Sequence, residues 1–204
     1  MDGQFRASEW KSCLLLYAKK FGRDQFYNFV ELVERLFLNH WVAAVRKDER
    51  YNDYITLWRE IEKADTPKKL FSKVSYDTNL ISEAATRSDF YRAGYSKYLL
   101  LRLELLTTEH DVDKKFSAKS VEHVFPQNPK DESEWLKSIG EVEVESFVHK
   151  LGNLVLISKS KNSAASNKEF QDKKETYLAN RVTDYHGSVA VSYTHLTLPT
   201  ICSV

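Results

Sequence analysis

Apolar residues recur at steps of three and four along one long stretch of this chain, which restricts that stretch to a helix. Charged residues take the other faces, as expected for an amphipathic helix packed against neighbours. His40 lies within the apolar stripe and is predicted to be a packed core or boundary residue rather than a metal ligand. The residues of the stripe are Phe26, Phe29, Val30, Val33, Phe37, Trp41, Ala44 and Val45.

Similar spacing predicts further helices in residues 1–108, which we interpret as a helical linker or scaffold region. A first helix that begins near Trp10 is expected to end at Gly22, because glycine favours helix C-termini. A third, centred on Trp58, should stop near Pro67. Short helices joined by turns are expected over 68–95, and a largely buried helix over 98–106. This half of the chain is predicted to offer packing surface rather than chemistry.

Two short apolar runs follow in residues 109–190 and break the helical pattern. The first ends at Pro126, and the second opens after Gly152-Asn153. Runs of this length bounded by turn residues are typical of strands. We therefore predict strands near 120–125 and 153–158, a short amphipathic helix around Trp135, and a final helix from about 162 to 180. The expected fold class is mainly α, with a small strand–strand–helix element in the C-terminal half.

Composition limits the classes of function. The chain has 204 residues and a formal net charge of +1, so any case for nucleic-acid binding must be local. No apolar run approaches the roughly 20 residues of a membrane span, and no membrane partner is expected. Two cysteines, Cys13 and Cys202, cannot form a disulfide framework, which favours a cytoplasmic setting. Residues 191–204 look like a sequencing adapter read in frame and are expected not to be native.

Four polar residues at the ends of the two apolar runs are candidates for phosphodiester chemistry. The imidazole of His123, with an ordinary pKa of about 6.5, suits a general base for an attacking water. Carboxylate and amide oxygens suit Mg²⁺ or Mn²⁺, so Glu122 and Asn162 are candidate metal ligands. Asn153 is a candidate for orienting the loop that carries the histidine.

The predicted strand raises a geometric difficulty for this set. Neighbours on a regular strand point to opposite faces, so Glu122 and His123 share a site only if the strand ends or bulges there. His149 is the alternative metal ligand or phosphate contact. Each residue also has a plainer interpretation: the Glu-His pair as a surface pair, Gly-Asn-Leu as a turn, and Asn162 as a helix N-cap.

Basic residues outnumber acidic residues by six to three between positions 158 and 181. This local excess lies beside the candidate site, where phosphate contacts would be needed. The candidate phosphate-binding residues are Lys159, Lys161, Lys168, Lys173 and Lys174.

In this order, these residues resemble the C-terminal nuclease domain of the GmrSD family, which are modification-dependent (type IV) restriction endonucleases. The resemblance covers roughly residues 97–180. It rests on Glu122 to Pro129, Trp135, His149 to Leu156, Asn162, Asn167-Lys168, Phe170 and Lys173-Lys174.

The resemblance implies a Mg- or Mn-dependent endonuclease of the HNH type, with a ββα-metal (His-Me) finger. It places His123 as the base, Glu122 and Asn162 as metal ligands, and Asn153 as the residue that orients the loop. The implied substrate is DNA, possibly base-modified, and the implied role is defence against phage. The family's N-terminal nucleotide-binding domain is not in this sequence, so nucleotide-stimulated cleavage is not expected from the fragment alone.

Two other classes of function remain open from the sequence. A non-catalytic nucleic-acid-binding module would keep the lysines and lack metal-dependent cleavage. A helical protein-interaction domain would place its function in the first hundred residues. Cleavage that depends on a divalent metal separates the nuclease from both.

Overall fold

The computed structural model describes residues 8–107, 120–139 and 143–178. The described chain is mainly helical, as predicted. Its contacts divide it into two compact units between Ala84 and Ala85. This division falls earlier than the boundary expected at residue 108, because helix α6 (Ser96–Thr107) packs against a strand of the second unit.

Helices of the first unit follow the predicted pattern closely. The predicted stop at Gly22 is confirmed: its φ of 63° is a conformation that glycine adopts easily, and its N–H donates to the Ala18 carbonyl. Thr66 caps the fourth helix, where Pro67 occupies the first position. The helices are α1 (Trp10–Phe21), α2 (Phe26–Val42), α3 (Lys47–Lys63), α4 (Pro67–Phe71) and α5 (Thr78–Thr86), the last crossing the division.

The core of the first unit forms where α1 packs against α2 and α3. Tyr17 lies at its centre, stacked on Phe29 with ring centroids 4.0 Å apart, and its hydroxyl donates to the Asp24 carbonyl at 2.7 Å. His40 is buried, as predicted for a core residue, and its Nε2 lies 3.0 Å from a carboxylate oxygen of Asp53. Apolar helix faces thus form most of this core, with a few buried polar side chains such as His40 beside them.

The second unit contains the predicted pair of strands, β1 (Ser120–His123) and β2 (Leu154–Ile157). They form a two-stranded antiparallel sheet with Ser120 opposite Ile157 and His123 opposite Leu154. The other elements are 3₁₀ helices at Phe90–Arg92, Val144–Ser146 and Leu151–Asn153, and helices α7 (Glu134–Ile139), α8 (Lys159–Ala165) and α9 (Phe170–Leu178).

The single helix predicted for 162–180 is wrong, because two helices occupy this region. α8 begins earlier, at a cap where the Ser158 hydroxyl accepts from the Lys161 N–H, so Asn162 is not an N-cap. It ends at Ser166, whose φ of 44° is incompatible with a continuing right-handed helix. The chain then turns before α9 begins at Phe170.

Aromatic residues fill the core of the second unit, beneath the sheet. Trp135 is fully buried between Phe125 and Phe170, with ring centroids 5.1 and 5.5 Å away. Its indole N–H donates to the Lys168 carbonyl at 3.0 Å, which fastens α7 to the turn before α9. The predicted short helix around Trp135 is confirmed as α7.

One sequence interpretation falls on a part of the chain that is not described. The proposed adapter at 191–204 lies outside the described residues, so it remains a prediction. Among the described helices, none has the length and apolar character needed to cross a membrane.

Candidate functional site

His123 ends β1 and lies among three side chains from other parts of the second unit. Its Nε2 is 3.2 Å from His149 Nδ1, and its Nδ1 is 3.2 Å from the side-chain amide of Gln127. The edge of the Tyr91 ring contacts the imidazole, with centroids 4.4 Å apart. Only 6% of His123 is exposed, so both ring nitrogens meet protein groups in a buried setting.

This environment keeps both histidines neutral at neutral pH. Burial, followed by the effects of His149 and Lys173, lowers the pKa of His123 to about 4. Burial and then the Arg92 guanidinium also lower the pKa of His149, against the opposing influence of Glu145 and Asp89. A neutral imidazole retains one nitrogen lone pair, which is what a general base requires.

The 3₁₀ helix Phe90–Arg92 makes three contacts with His149. The Tyr91 N–H donates to the His149 carbonyl at 2.9 Å, and the Tyr91 ring stacks on the imidazole at an interplanar angle of 12°. Arg92 Nη2 lies 3.3 Å from His149 Nε2. The sequence interpretation missed both residues, because it confined chemistry to the part after residue 107. Their segment is short and has no hydrophobic periodicity. The only sequence signal for a functional role there is an aromatic residue followed directly by a basic one.

Glu122 engages a different set of partners from its neighbour. Its carboxylate receives the Lys173 ammonium at 2.8 Å, and the same ammonium donates to the His123 carbonyl at 2.7 Å. Glu122 is 4% exposed and Lys173 is 1% exposed. Alternation along a regular strand explains why neighbouring side chains meet different groups. The Glu122 carboxylate is thus paired with a cation, whereas the His123 imidazole contacts His149, Gln127 and Tyr91.

The placement of Lys173 corrects one expectation. It was predicted to be a solvent-facing phosphate contact, but α9 carries it inward to the Glu122 carboxylate. Burial lowers the pKa of Lys173, whereas Glu122 raises it. Lys159 and Lys168 are exposed, and Lys161 and Lys174 are half-buried.

Asn153 fastens the loop that follows His123. Its Oδ1 accepts from the Phe125 N–H at 2.7 Å, and its Nδ2 donates to the carbonyls of Phe125 at 3.0 Å and Val148 at 2.8 Å. The Asn153 carbonyl also accepts from the Val124 N–H. The side chain is 4% exposed, so its amide serves internal bonds that fix where β1 ends.

Asn162 fastens α8 to the beginning of β1. Its Nδ2 donates to Ser120 Oγ at 2.7 Å and to the Val121 carbonyl at 2.8 Å. These residues precede His123 by three and two positions. Both bonds use the amide nitrogen, so the amide oxygen is the atom that a metal would bind.

The two predicted metal ligands each have protein partners in this structure. The Glu122 carboxylate is neutralised by Lys173, whereas Asn162 is bonded to the first two residues of β1. Within residues 8–107, 120–139 and 143–178, no three side chains of His, Cys, Asp or Glu gather closely enough to hold a metal ion. His149, the alternative ligand, does lie beside His123.

Comparison with known proteins places this unit in a family. Residues 71–193, more than half of the chain, match the GmrSD restriction endonucleases, C-terminal domain. The chain therefore belongs to this family, as its resemblance predicted. The match begins before residue 97 and so includes Tyr91 and Arg92. No curated protein and no solved structure matches the chain.

Proposed function

We propose that the second unit is an HNH-type DNA endonuclease module in which His123 is the general base. The observation that carries the proposal is a buried neutral histidine at the end of β1, with both ring nitrogens oriented by side chains, in a member of a restriction endonuclease family. The sheet of β1 and β2 followed by α8 supplies the strand–strand–helix order of a ββα finger.

The proposed reaction is hydrolysis of a phosphodiester. His123 accepts a proton from water as the water oxygen attacks phosphorus; the bond to the leaving oxygen breaks, and that oxygen takes a proton from solvent. A pKa of about 4 leaves the imidazole neutral but weakly basic. An approaching phosphate raises the pKa of the imidazole, because its negative charge favours the imidazolium.

The remaining candidates support this base rather than react themselves. Asn153 holds the backbone after the histidine, and Asn162 bonds α8 to the beginning of β1. Four lysines on α8 and α9 or the turn between them are the proposed phosphate contacts: Lys159, Lys161, Lys168 and Lys174. The proposed substrate is DNA, possibly base-modified, and the proposed partner is a nucleotide-binding domain; the setting would be defence against phage in the cytoplasm.

Divalent-metal dependence, with Mg²⁺ or Mn²⁺, is part of the proposal. A bound cation would stabilise negative charge on the phosphate. Glu122 and Asn162 remain the proposed ligands, although Glu122 is already paired with Lys173. Removal of the proton from water is assigned to His123 alone.

The test is a nicking assay on modified and unmodified DNA, with and without Mg²⁺ or Mn²⁺. We expect His123→Ala to lower cleavage by ~10²–10⁴-fold while DNA affinity is retained, since general-base catalysis is worth that much. Lys137→Ala is the control, because this exposed lysine on α7 forms an ion pair with nearby Glu134 and is not one of the proposed phosphate contacts. Cleavage by His123→Ala at the parent rate would refute the role of the base.

The Glu122–Lys173 pair also favours a second candidate, a non-catalytic nucleic-acid-binding module. A carboxylate held by a lysine needs no metal ion. This alternative predicts DNA binding that weakens with salt, and no cleavage with either metal.

A further inference from the structure

Four side chains, His123 among them, form a continuous line of hydrogen-bonding groups. Arg92 Nη2 lies 3.3 Å from His149 Nε2, His149 Nδ1 lies 3.2 Å from His123 Nε2, and His123 Nδ1 lies 3.2 Å from the amide of Gln127. The line joins the 3₁₀ helix Phe90–Arg92, the segment before β2, the end of β1 and the loop after it. Each neutral imidazole in it donates from one nitrogen and accepts at the other.

Arg92, at one end of this line, determines which group donates and which accepts in each hydrogen bond. A guanidinium only donates, so His149 Nε2 must accept from Arg92 and carries no proton. The proton of His149 is then on Nδ1, which donates to His123 Nε2. His123 in turn carries its proton on Nδ1, and the Gln127 amide must present its oxygen there. An amide achieves this by exchanging its oxygen and nitrogen through a half-turn.

The reverse direction conflicts with the same arginine. If Gln127 donated to His123 Nδ1, then His123 Nε2 would donate to His149 Nδ1, and His149 Nε2 would carry a proton. That N–H would face the N–H of Arg92, two donors with no acceptor between them. Gln127 can exchange its donor and acceptor by rotating, whereas Arg92 can only donate. Hydrogen-bond donation therefore runs from Arg92 through His149 and His123 to Gln127.

We propose that Arg92 and His149 are positioning residues that hold His123 in the tautomer with its proton on Nδ1 and its lone pair on Nε2. The inference rests on the proposed function, in which His123 is the base. Nε2 is then the atom that removes the proton from water. Before DNA binds, the His149 N–H fills that lone pair, and an attacking water replaces His149 as the donor. Tyr91 supports the arrangement by bonding and stacking on His149.

Tautomers can be measured directly in the free protein by long-range ¹H–¹⁵N NMR of the imidazole rings, with His123→Asn and His149→Asn used to assign the signals. We expect one tautomer at each ring in the parent, with the proton on Nδ1. Arg92→Lys should retain it, because an ammonium also only donates. Arg92→Gln should yield a mixture, because an amide can donate or accept. A parent His123 with its proton on Nε2 would overturn the proposal.

Cleavage supplies the second readout. We expect Arg92→Gln to lower kcat by ~10–100-fold, less than the ~10⁴-fold that a wrong tautomer costs a serine protease, with substantial recovery in Arg92→Lys. Arg87→Gln is the matched control: it removes a positive charge from the same segment, but Arg87 pairs with Asp89 instead of a histidine. An equal loss of kcat in both glutamine variants would mean that charge alone matters, which would overturn the positioning role.

The two proposals fail in different ways. If His123→Ala still cuts at the parent rate, the base assignment fails whatever the tautomers are. If His123→Ala abolishes cleavage but Arg92→Gln changes neither tautomers nor kcat, the nuclease proposal stands and the positioning role is refuted.

Discussion

Both units bury some polar side chains, but different contacts hold their centres together. In the first, α1, α2 and α3 meet through apolar faces, with Tyr17 stacked on Phe29. In the second, an aromatic core lies beside buried polar groups that bond to the backbone, including Asn153 and Lys173. Helical packing needs only correctly spaced apolar residues, whereas a short strand end in a small sheet needs specific hydrogen bonds to fix its position.

The largest expected effect is on the buried ion pair of the second unit. Lys173→Met should lower the free energy of unfolding by about 3–5 kcal/mol, because it removes the cation from a buried carboxylate. Urea unfolding measures the loss, and hydrogen exchange of the amides of β1 and β2 assigns it to this unit. The double variant Glu122→Leu with Lys173→Met should recover most of it. A loss below about 1 kcal/mol in Lys173→Met would contradict the burial of the pair.

Acid should destabilise the second unit through His123. Its pKa of about 4 in the folded chain lies below the ordinary 6.5, so the unfolded chain binds the proton first. The stabilisation is complete above pH 6.5 and is lost as pH falls toward 4, by up to roughly 3 kcal/mol. The lowered pKa of His149 acts in the same direction. Unfolding measured across this range should depend less on pH in His123→Asn, and an unchanged dependence would contradict the prediction.

Asn153 tests whether shape alone can hold the strand end. Asn153→Leu keeps a similar volume but leaves the Phe125 N–H and two carbonyls without their partner, so we expect a loss of about 2–3 kcal/mol. Asn153→Asp is the matched control, since it can still accept from Phe125 but cannot donate to either carbonyl. Urea unfolding should give Asn153→Asp a free energy of unfolding no higher than that of the parent. If Asn153→Leu were as stable as the parent, packing alone would be enough to hold the strand end.

The same contrast explains what the sequence could predict. Apolar spacing identified the helices of the first unit and the stop at Gly22, because those elements depend on local pattern. The strand positions were predicted from their short apolar runs. The contacts around His123 were not, because the Tyr91 ring beside His123 and the Arg92 guanidinium beside His149 come from a distant part of the chain. Lys173 was expected at the surface, because nothing in a local pattern reveals a bond across about fifty residues to Glu122.

The smallest expected effect belongs to the first unit. Leu57 on α3 is only 3% exposed, and Leu57→Met keeps nearly the same volume without adding a buried hydrogen-bonding requirement. Such exchanges usually cost less than about 1.5 kcal/mol, because a flexible thioether adapts to the space. Urea unfolding with hydrogen exchange of the α3 amides measures the change. Leu57→Met could instead lower the free energy of unfolding as much as Asn153→Leu does. The first unit would then depend on exact packing as strongly as the second depends on its hydrogen bonds, and the contrast between the units would fail.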